Sequence, residues 1–164
     1  MATTLRTAEP GDAEGIRAIY NVEVAGSTVT FDLVPRTLAD QVTWIEEHSG
    51  GHPALVAINE SGDIVGFGSL SPFRERPAYF PTVENSVYVR SDQRGSGVGH
   101  QILSELVGLA QSYGYHSLIA RIVGGHDASI SLHRRSGFEI VGTEREVGRK
   151  LGKWLDVTVM QRML

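Results

Sequence analysis

At 164 residues with 41% apolar side chains, the chain is sized for one domain around one core. It contains no cysteine, which excludes disulfides and thiol chemistry. It also has no leader pattern and no apolar run long enough for a membrane, so a cytoplasmic protein with no membrane partner is expected. A net charge of −4 argues against nucleic acid as the main partner.

That charge is unevenly spread. Residues 1–83 carry 5 basic and 11 acidic side chains, and residues 84–164 carry 10 basic and 8 acidic. The imbalance is either chance or a field that draws an anion to the second half. Thr3 to Ala8 reads as a short strand, broken by Pro10-Gly11-Asp12, with Asp12 offered as a helix cap. Ile16, Ile19 and Tyr20 then share one face of a helix. Residues 25–36 show no period and read as a loop holding Phe31, which either plugs the core or borders a substrate pocket. Thr37 and Asp40 form a capping box for a second helix, with Leu38, Val42 and Ile45 on one side.

Pro53 to Asn59 and Ile64 to Leu70 are apolar runs around Glu60-Ser61-Gly62-Asp63, a hairpin pattern. Residues 71–83 hold Arg74, Arg76, Phe73, Tyr79 and Phe80 in a proline-punctuated connection. They are either solvated cations beside packed rings or a binding surface. The strand Ser86 to Arg90 follows, then a turn with Gly95, Gly97 and Gly99 at alternate positions, then a helix carrying Val98, Ile102, Leu106, Leu109 and Tyr113. Glycines there leave backbone N–H groups uncovered at the positive end of a helix, a site for phosphate oxygens. No lysine follows them, which excludes a Walker loop, and the glycine spacing departs from the dinucleotide fingerprint. His116 to Val123 reads as a strand, and Asp127 to Ser136 as a helix ended by Gly137-Phe138. Glu139 to Glu146 and Trp154 to Leu164 read as two strands joined by a basic turn, Arg149 to Lys153. The order β-α-α-β-β-β-α-β-α-β-β predicts an α/β (α+β) domain with a mixed sheet and helices on both faces.

Two residues stand out for chemistry. Alternation puts Glu84, Ser86 and Tyr88 on one strand face and Asn85, Val87 and Val89 on the other. A carboxylate entering an apolar strand is costly unless it is paired, here with Arg74 or Arg76, or acts as a base toward an amine. His133, with Arg134 and Arg135 beside it, is expected to be neutral, as either a proton carrier or a structural side chain. His48 and His52 have metal-like spacing, but Gly50 and Gly51 lie between them and no third ligand is near, so no metal is expected.

The segment Arg94-Gly95-Ser96-Gly97-Val98-Gly99 after its strand resembles the acyl-CoA loop of GNAT-type N-acetyltransferases. Thr82 to Val89, Ala128 to His133 with Gly137-Phe138, Val147 to Asp156, and Thr30-Phe31 before Pro35 and Thr37 extend the likeness over the whole chain. Together they resemble the phosphinothricin/methionine sulfoximine N-acetyltransferases within that family. The resemblance implies the GNAT fold, in which the strand before the glycine turn and the strand after its helix splay around the acyl-CoA. It implies acetyl-CoA as co-substrate and a homodimer. Catalysis would fall to Glu84 and His133, with His133 as leaving-group acid. Val87, Tyr88, Val89, Arg94, Gly95, Ser96, Gly97, Val98, Gly99 and His100 would bind acetyl-CoA, and His126 would stand where the family has an asparagine toward the CoA arm. Phe31, Arg74, Pro77, Ala78, Tyr79 and Glu84 would face a small amino-acid acceptor. Acetylation of another small amine or a protein amine, and CoA sensing without turnover, remain as alternatives.

Overall fold

The short strand β1 (Thr4–Thr7) ends where Pro10 enters a 3₁₀ turn, and α1 (Ala13–Gly26) follows directly. The computed structural model describes residues 2–164. Asp12 is fixed at this junction because Arg6 donates to both its carboxylate oxygens at 2.7 and 2.8 Å and the Glu9 N–H donates to it at 2.8 Å. Helix α2 (Leu38–Glu47) starts on the expected capping box. The Thr37 hydroxyl accepts from the Asp40 N–H at 3.1 Å, and the Asp40 carboxylate accepts from the Thr37 N–H at 2.8 Å.

Strands β2 (Ala54–Ile58) and β3 (Ile64–Pro72) form the expected hairpin. Its loop is held by the Asn59 side-chain oxygen, which accepts from the Ser61 and Asp63 N–H groups. Next come β4 (Thr82–Val89), α3 (Val98–Ser112), β5 (Ser117–Val123), α4 (Asp127–Arg135), β6 (Glu139–Lys150) and β7 (Lys153–Met163). The element order matches the sequence reading throughout. Boundaries differ in places: β4 starts at Thr82 rather than Ser86, and the basic segment Arg149 to Lys153 is strand except for Leu151 and Gly152. These two residues turn the hairpin with φ of 51° and 75°. Positive φ at both central positions is what a two-residue hairpin requires, and a leucine there hides the turn from sequence.

All seven strands make one sheet in the order β1-β2-β3-β4-β5-β7-β6. Helix α3 covers one face with Val98, Ile102, Leu103, Leu106 and Ala110 over Val65, Val83, Leu118 and Met160. The other face carries α1 and α2, with Ile16, Ile19, Tyr20 and Ile45 over Val56 and Phe67. The β4–β5 pair is parallel and short. It joins Thr82, Val83 and Glu84 to Ser117, Leu118 and Ile119 and then stops. Beyond Glu84, β4 stays on β3 as far as Val89, while β5 stays on β7 as far as Val123, so the sheet forks. Among the described residues no helix is long and apolar enough to cross a membrane.

Gly68 sets how closely α3 lies on the sheet. A Cβ there would stand 2.5 Å from Ile102 Cγ2, 2.8 Å from the Ser86 carbonyl oxygen and 3.0 Å from Leu106 Cδ1. The carbonyl belongs to the neighbouring strand and cannot yield without bending the fork. Gly68→Ala should therefore destabilise the fold by about 1–3 kcal/mol through overpacking, read as a lower urea midpoint at unchanged slope.

Candidate active site

The fork begins at Glu84. One strand edge from Asn85 to Val89 and the facing edge from Ala120 to Val123 carry no ladder hydrogen bonds to each other, and the narrow cleft between them encloses about 50 Å³. Buried backbone groups without partners are costly, so such an edge is suited to a ligand that supplies donors and acceptors along its length. The Tyr88 ring does not enter the cleft. It stacks on Phe67 with centroids 5.1 Å apart and meets Tyr20 edge-on at 5.2 Å, which leaves the main chain of Val87, Tyr88 and Val89 as the binding element.

At the open end of β4 the glycine turn leads into α3. Gly95 and Gly97 have φ of 77° and 93°, values that disfavour any residue with a Cβ, and Gly97 is the N-cap of α3. Gly99 differs. It lies inside the helix, and its place is a packing one: a Cβ there would meet Leu132 and Val89 at 3.4 and 3.5 Å. The Ser96 hydroxyl donates to the Gln93 carbonyl at 2.5 Å and closes the turn. Val98 is buried, so it faces the turn only through its backbone, and His100 is exposed on the first turn of α3. The Arg94 side chain does not face the turn. Its guanidinium pairs with Glu23 of α1, and its Nε donates to the Val89 carbonyl at 3.4 Å. Arg94, expected among the residues that bind acetyl-CoA, is engaged here with Glu23 and the Val89 carbonyl. The cation braces the turn against α1, and the backbone is left to face an anion.

Glu84 is half-buried and takes part in none of the salt bridges among the described residues, so the alternative of a rim carboxylate paired with Arg74 or Arg76 fails. Burial pushes its carboxyl above the ordinary glutamate value. The Arg121 charge pulls it down, and the Glu144 charge pushes it up. Arg121 on β5 is itself paired with Glu144 on β6 at 2.5 Å. Arg121 was not singled out in the sequence; its signal there is a cation inside the apolar run Leu118 to Val123.

His133 is 4% exposed, and burial is what lowers its pKa and keeps it neutral. Arg134 and Arg135, expected to do this, both point to solvent. The Ser129 carbonyl 2.8 Å from Nδ1 can only accept, so Nδ1 carries the proton, and Nε2 accepts from the Asn85 amide at 2.9 Å. Both nitrogens are thus committed within the chain. A neutral imidazole so engaged presents no free N–H to the cleft, and this arrangement does not itself display the leaving-group acid that the resemblance implies for His133. Its role in this geometry is to hold Asn85, whose amide oxygen is buried at the cleft without a partner among the described residues. Asn85 also escaped the sequence reading, although it is the one polar residue on the Val83, Val87, Val89 face.

His126, expected toward the CoA arm, has a partner within the chain. Its Nε2 meets the Thr28 hydroxyl at 3.0 Å and ties the start of α4 to the loop after α1. Arg74 lies over the rings of Phe73 and Tyr79 at 4.9 and 5.3 Å, and with Arg76 it lines a basin of about 520 Å³. Pro77, Ala78 and Tyr79 form the 3₁₀ turn at its edge. Phe31 does not line this basin. It is partly exposed and lies against Gly148 of β6, so it is neither a core plug nor a wall of the arginine basin. Among the described residues no cluster of three His, Cys, Asp or Glu could hold a metal ion.

A forked mixed sheet, a glycine turn at the helix end beside it and a half-buried carboxylate at the point of the fork define a group-transfer fold for an elongated anionic ligand. The sequence matches the family described as Acetyltransferase (GNAT) domain over residues 5–159. It is 43% identical over 162 residues to the L-methionine sulfoximine/L-methionine sulfone acetyltransferase of Pseudomonas paraeruginosa, covering 98% of this chain and 94% of that protein. Among solved structures, the phosphinothricin acetyltransferase of Sinorhizobium meliloti in complex with AcCoA superposes with a TM-score of 0.96 at 39% identity, covering 100% of this chain and 89% of that one. A ribosomal-protein-alanine N-acetyltransferase from Brucella melitensis superposes with a TM-score of 0.95 at 40% identity, covering 98% and 99%. The chain belongs to the GNAT acetyltransferase family.

Proposed function

We propose that this protein transfers the acetyl group of acetyl-CoA to the α-amine of a small amino acid with a sulfone, sulfoximine or phosphinate side chain, with Glu84 as base. The observation that carries this reading is the position of Glu84. It is a half-buried carboxylate without an ion-pair partner among the described residues, at the closed end of the fork and on the strand face away from α3. A carboxyl raised above its ordinary value by burial is better matched to accepting a proton from an ammonium near neutral pH than an exposed one.

Acetyl-CoA fits the residues present. Backbone N–H groups from Gly95 to His100 suit its pyrophosphate, the open edge at Val87, Tyr88 and Val89 suits its amide-bearing arm, and the unpartnered Asn85 oxygen can accept from a donor in the cleft. The acceptor carboxylate is assigned to Arg74, with Pro77, Ala78 and Tyr79 forming the wall. Glu84 takes a proton from the ammonium, the freed amine attacks the thioester carbonyl, and the C–S bond breaks to release the thiolate, which takes up the second proton lost from the nitrogen as the amide forms. Direct transfer is preferred because the chain has no cysteine to carry the acetyl group. A second copy is proposed beside the site, since Leu33, Val34 and Phe80 expose apolar surface on the loops that flank it. Sedimentation should give a dimer at micromolar concentration, and an active monomer would remove this part.

The name of the Brucella melitensis relative supports a second reading, a protein N-terminus as acceptor. Thiol release from acetyl-CoA with L-methionine sulfone, L-phosphinothricin and an alanine-initiated peptide separates the two. Release with the amino acids alone is the expected result, and release with the peptide alone would overturn it. Gly97→Asp should weaken acetyl-CoA at least about tenfold, because a left-handed backbone position gains a Cβ and the turn gains a negative charge. Glu84→Gln should lower kcat by ~10²-fold or more with acetyl-CoA affinity retained. A raised KM for the amino acid with kcat retained would make Glu84 an anchor instead.

A further inference from the structure

One half-buried imidazole on the Glu84 face is not used by the mechanism above. His48 caps the C-terminal end of α2, where its backbone N–H bonds to the Trp44 and Ile45 carbonyls and its ring stacks on the Trp44 indole at 4.1 Å. Its Nδ1 lies 2.8 Å from the Trp44 carbonyl oxygen, and its Nε2 lies 3.0 Å from the Ser71 hydroxyl. Ser71 is the residue directly opposite Glu84 in the β3–β4 register. The same register pairs Phe67 with Tyr88, whose rings stack, so Phe67, Ser71, Glu84 and Tyr88 share one face of the sheet. Side chains directly opposed across an antiparallel pair have Cβ atoms about 4.5–5.5 Å apart, within reach of a glutamate carboxyl and a serine hydroxyl.

The direction of these hydrogen bonds follows from the groups themselves. A carbonyl can only accept, so Nδ1 bears the proton, and in the neutral ring Nε2 has only a lone pair. Ser71 must then donate its one proton to His48. The serine oxygen is then left with lone pairs and no hydrogen for any other neighbour. We propose that His48 and Ser71 are positioning residues for Glu84: the imidazole holds the serine proton away from the carboxylate, so that Ser71 accepts from the protonated acid and does not donate to the base. This rests on the reading of Glu84 as base and deepens it. A carboxylate denied a donor, and offered an acceptor once protonated, binds a proton more tightly.

Other charges act on both groups. Arg121 of β5 lowers the Glu84 pKa, and Glu144 of β6 raises it. At His48, burial lowers the pKa most, the Trp44 carbonyl raises it, Arg36 lowers it, Glu47 raises it and His52 lowers it. The ring is therefore neutral at neutral pH, as the argument requires. On acidification His48 gains a proton at Nε2 and donates it to Ser71. Ser71 then turns its own proton to Glu84, so the two titrations are coupled.

The experiment follows kcat/KM for the amino-acid acceptor between about pH 5 and 8 in the wild type, His48→Phe, Ser71→Ala and the double variant. Phenylalanine keeps the stack on Trp44 and removes both ring nitrogens, so Ser71 is freed to donate to the carboxylate. The acid limb should move down by about one pH unit, the size of one charge-assisted hydrogen bond. In the Ser71→Ala background His48→Phe should move it no further, because the hydroxyl that transmits the effect is gone. A purely structural role for His48 would act equally in both backgrounds, and that result overturns the proposal. So does an acid limb lost in Glu84→Gln but unmoved in His48→Phe. An acid limb that survives Glu84→Gln overturns the base assignment and this coupling with it. Thermal melts check folding, and His48→Leu is read in the same way if the phenylalanine variant does not accumulate.

Discussion

The structure depends on one broken ladder. β4 and β5 pair for three residues on each strand and then part, yet neither strand loses its place, because β3 continues to hold β4 and the β6–β7 hairpin continues to hold β5. The unpaired edges lie in the middle of a sheet rather than at its rim. Water reaches such edges poorly, and a backbone group deprived of both water and partner is a standing cost. The fold retains that cost where a ligand with its own amide groups can relieve it. The same parting leaves Glu84 as the last paired residue, held rigidly by ladders on both sides just where the cleft opens.

At the fork, polar side chains are placed among apolar ones. Asn85 of β4 and His133 of α4 meet beside it at 2.9 Å, and Phe138 meets the His133 ring edge-on at 5.0 Å. A neutral histidine with a fixed tautomer serves here better than a charged one, since a buried imidazolium would need a counter-charge that nothing at this point supplies. On the opposite face, residues 27–37 have no regular structure but many anchors. Buried Lys150 donates to the Thr30 carbonyl at 2.8 Å and is the ammonium with the strongest reason to shed charge, its pKa lowered by burial. The Tyr20 hydroxyl meets Thr30 and Asp32, Arg36 lies over the Tyr20 ring at 3.9 Å, and Asn21 exchanges two hydrogen bonds with the Arg36 backbone. A loop with that many fixed points behaves as a wall.

Local signals made the element order readable from sequence. The capping box at Thr37, the hairpin at Asn59 to Asp63, the glycines before α3 and the periods of two and 3.6 each depend on residues close in sequence. What could not be read is carried by pairs far apart in the chain. Arg94 finds Glu23, His126 finds Thr28, Phe31 finds Gly148, and His48 finds Ser71. Three of these took a polar or aromatic side chain with an apparent ligand role and gave it a partner within the protein. His133 is the sharpest case. Its neutrality was foreseen from charged neighbours in sequence, but those side chains point to solvent and burial does the work. The leucine at the β6–β7 turn was missed for a related reason, since only the pairing of the strands on either side forces its positive φ.

The opposing influences on Glu84 show why a glutamate at the fork remains protonatable. Burial raises it, and a nearby guanidinium on β5 pulls the other way. An unpaired Arg121 would be a strong stabiliser of the carboxylate and hence a reason for a lower proton affinity. Glu144 reaches Arg121 from β6 with contacts of 2.5 and 3.2 Å, both ends of a bidentate pair, and its own charge acts on Glu84 in the same direction as burial. Because β6 joins the sheet ladder only through β7, the proton affinity of Glu84 depends on the hairpin at the far edge of the sheet as well as on the strand that carries it. Two strands that do not touch β4 thereby take part in setting the proton affinity at its closed end.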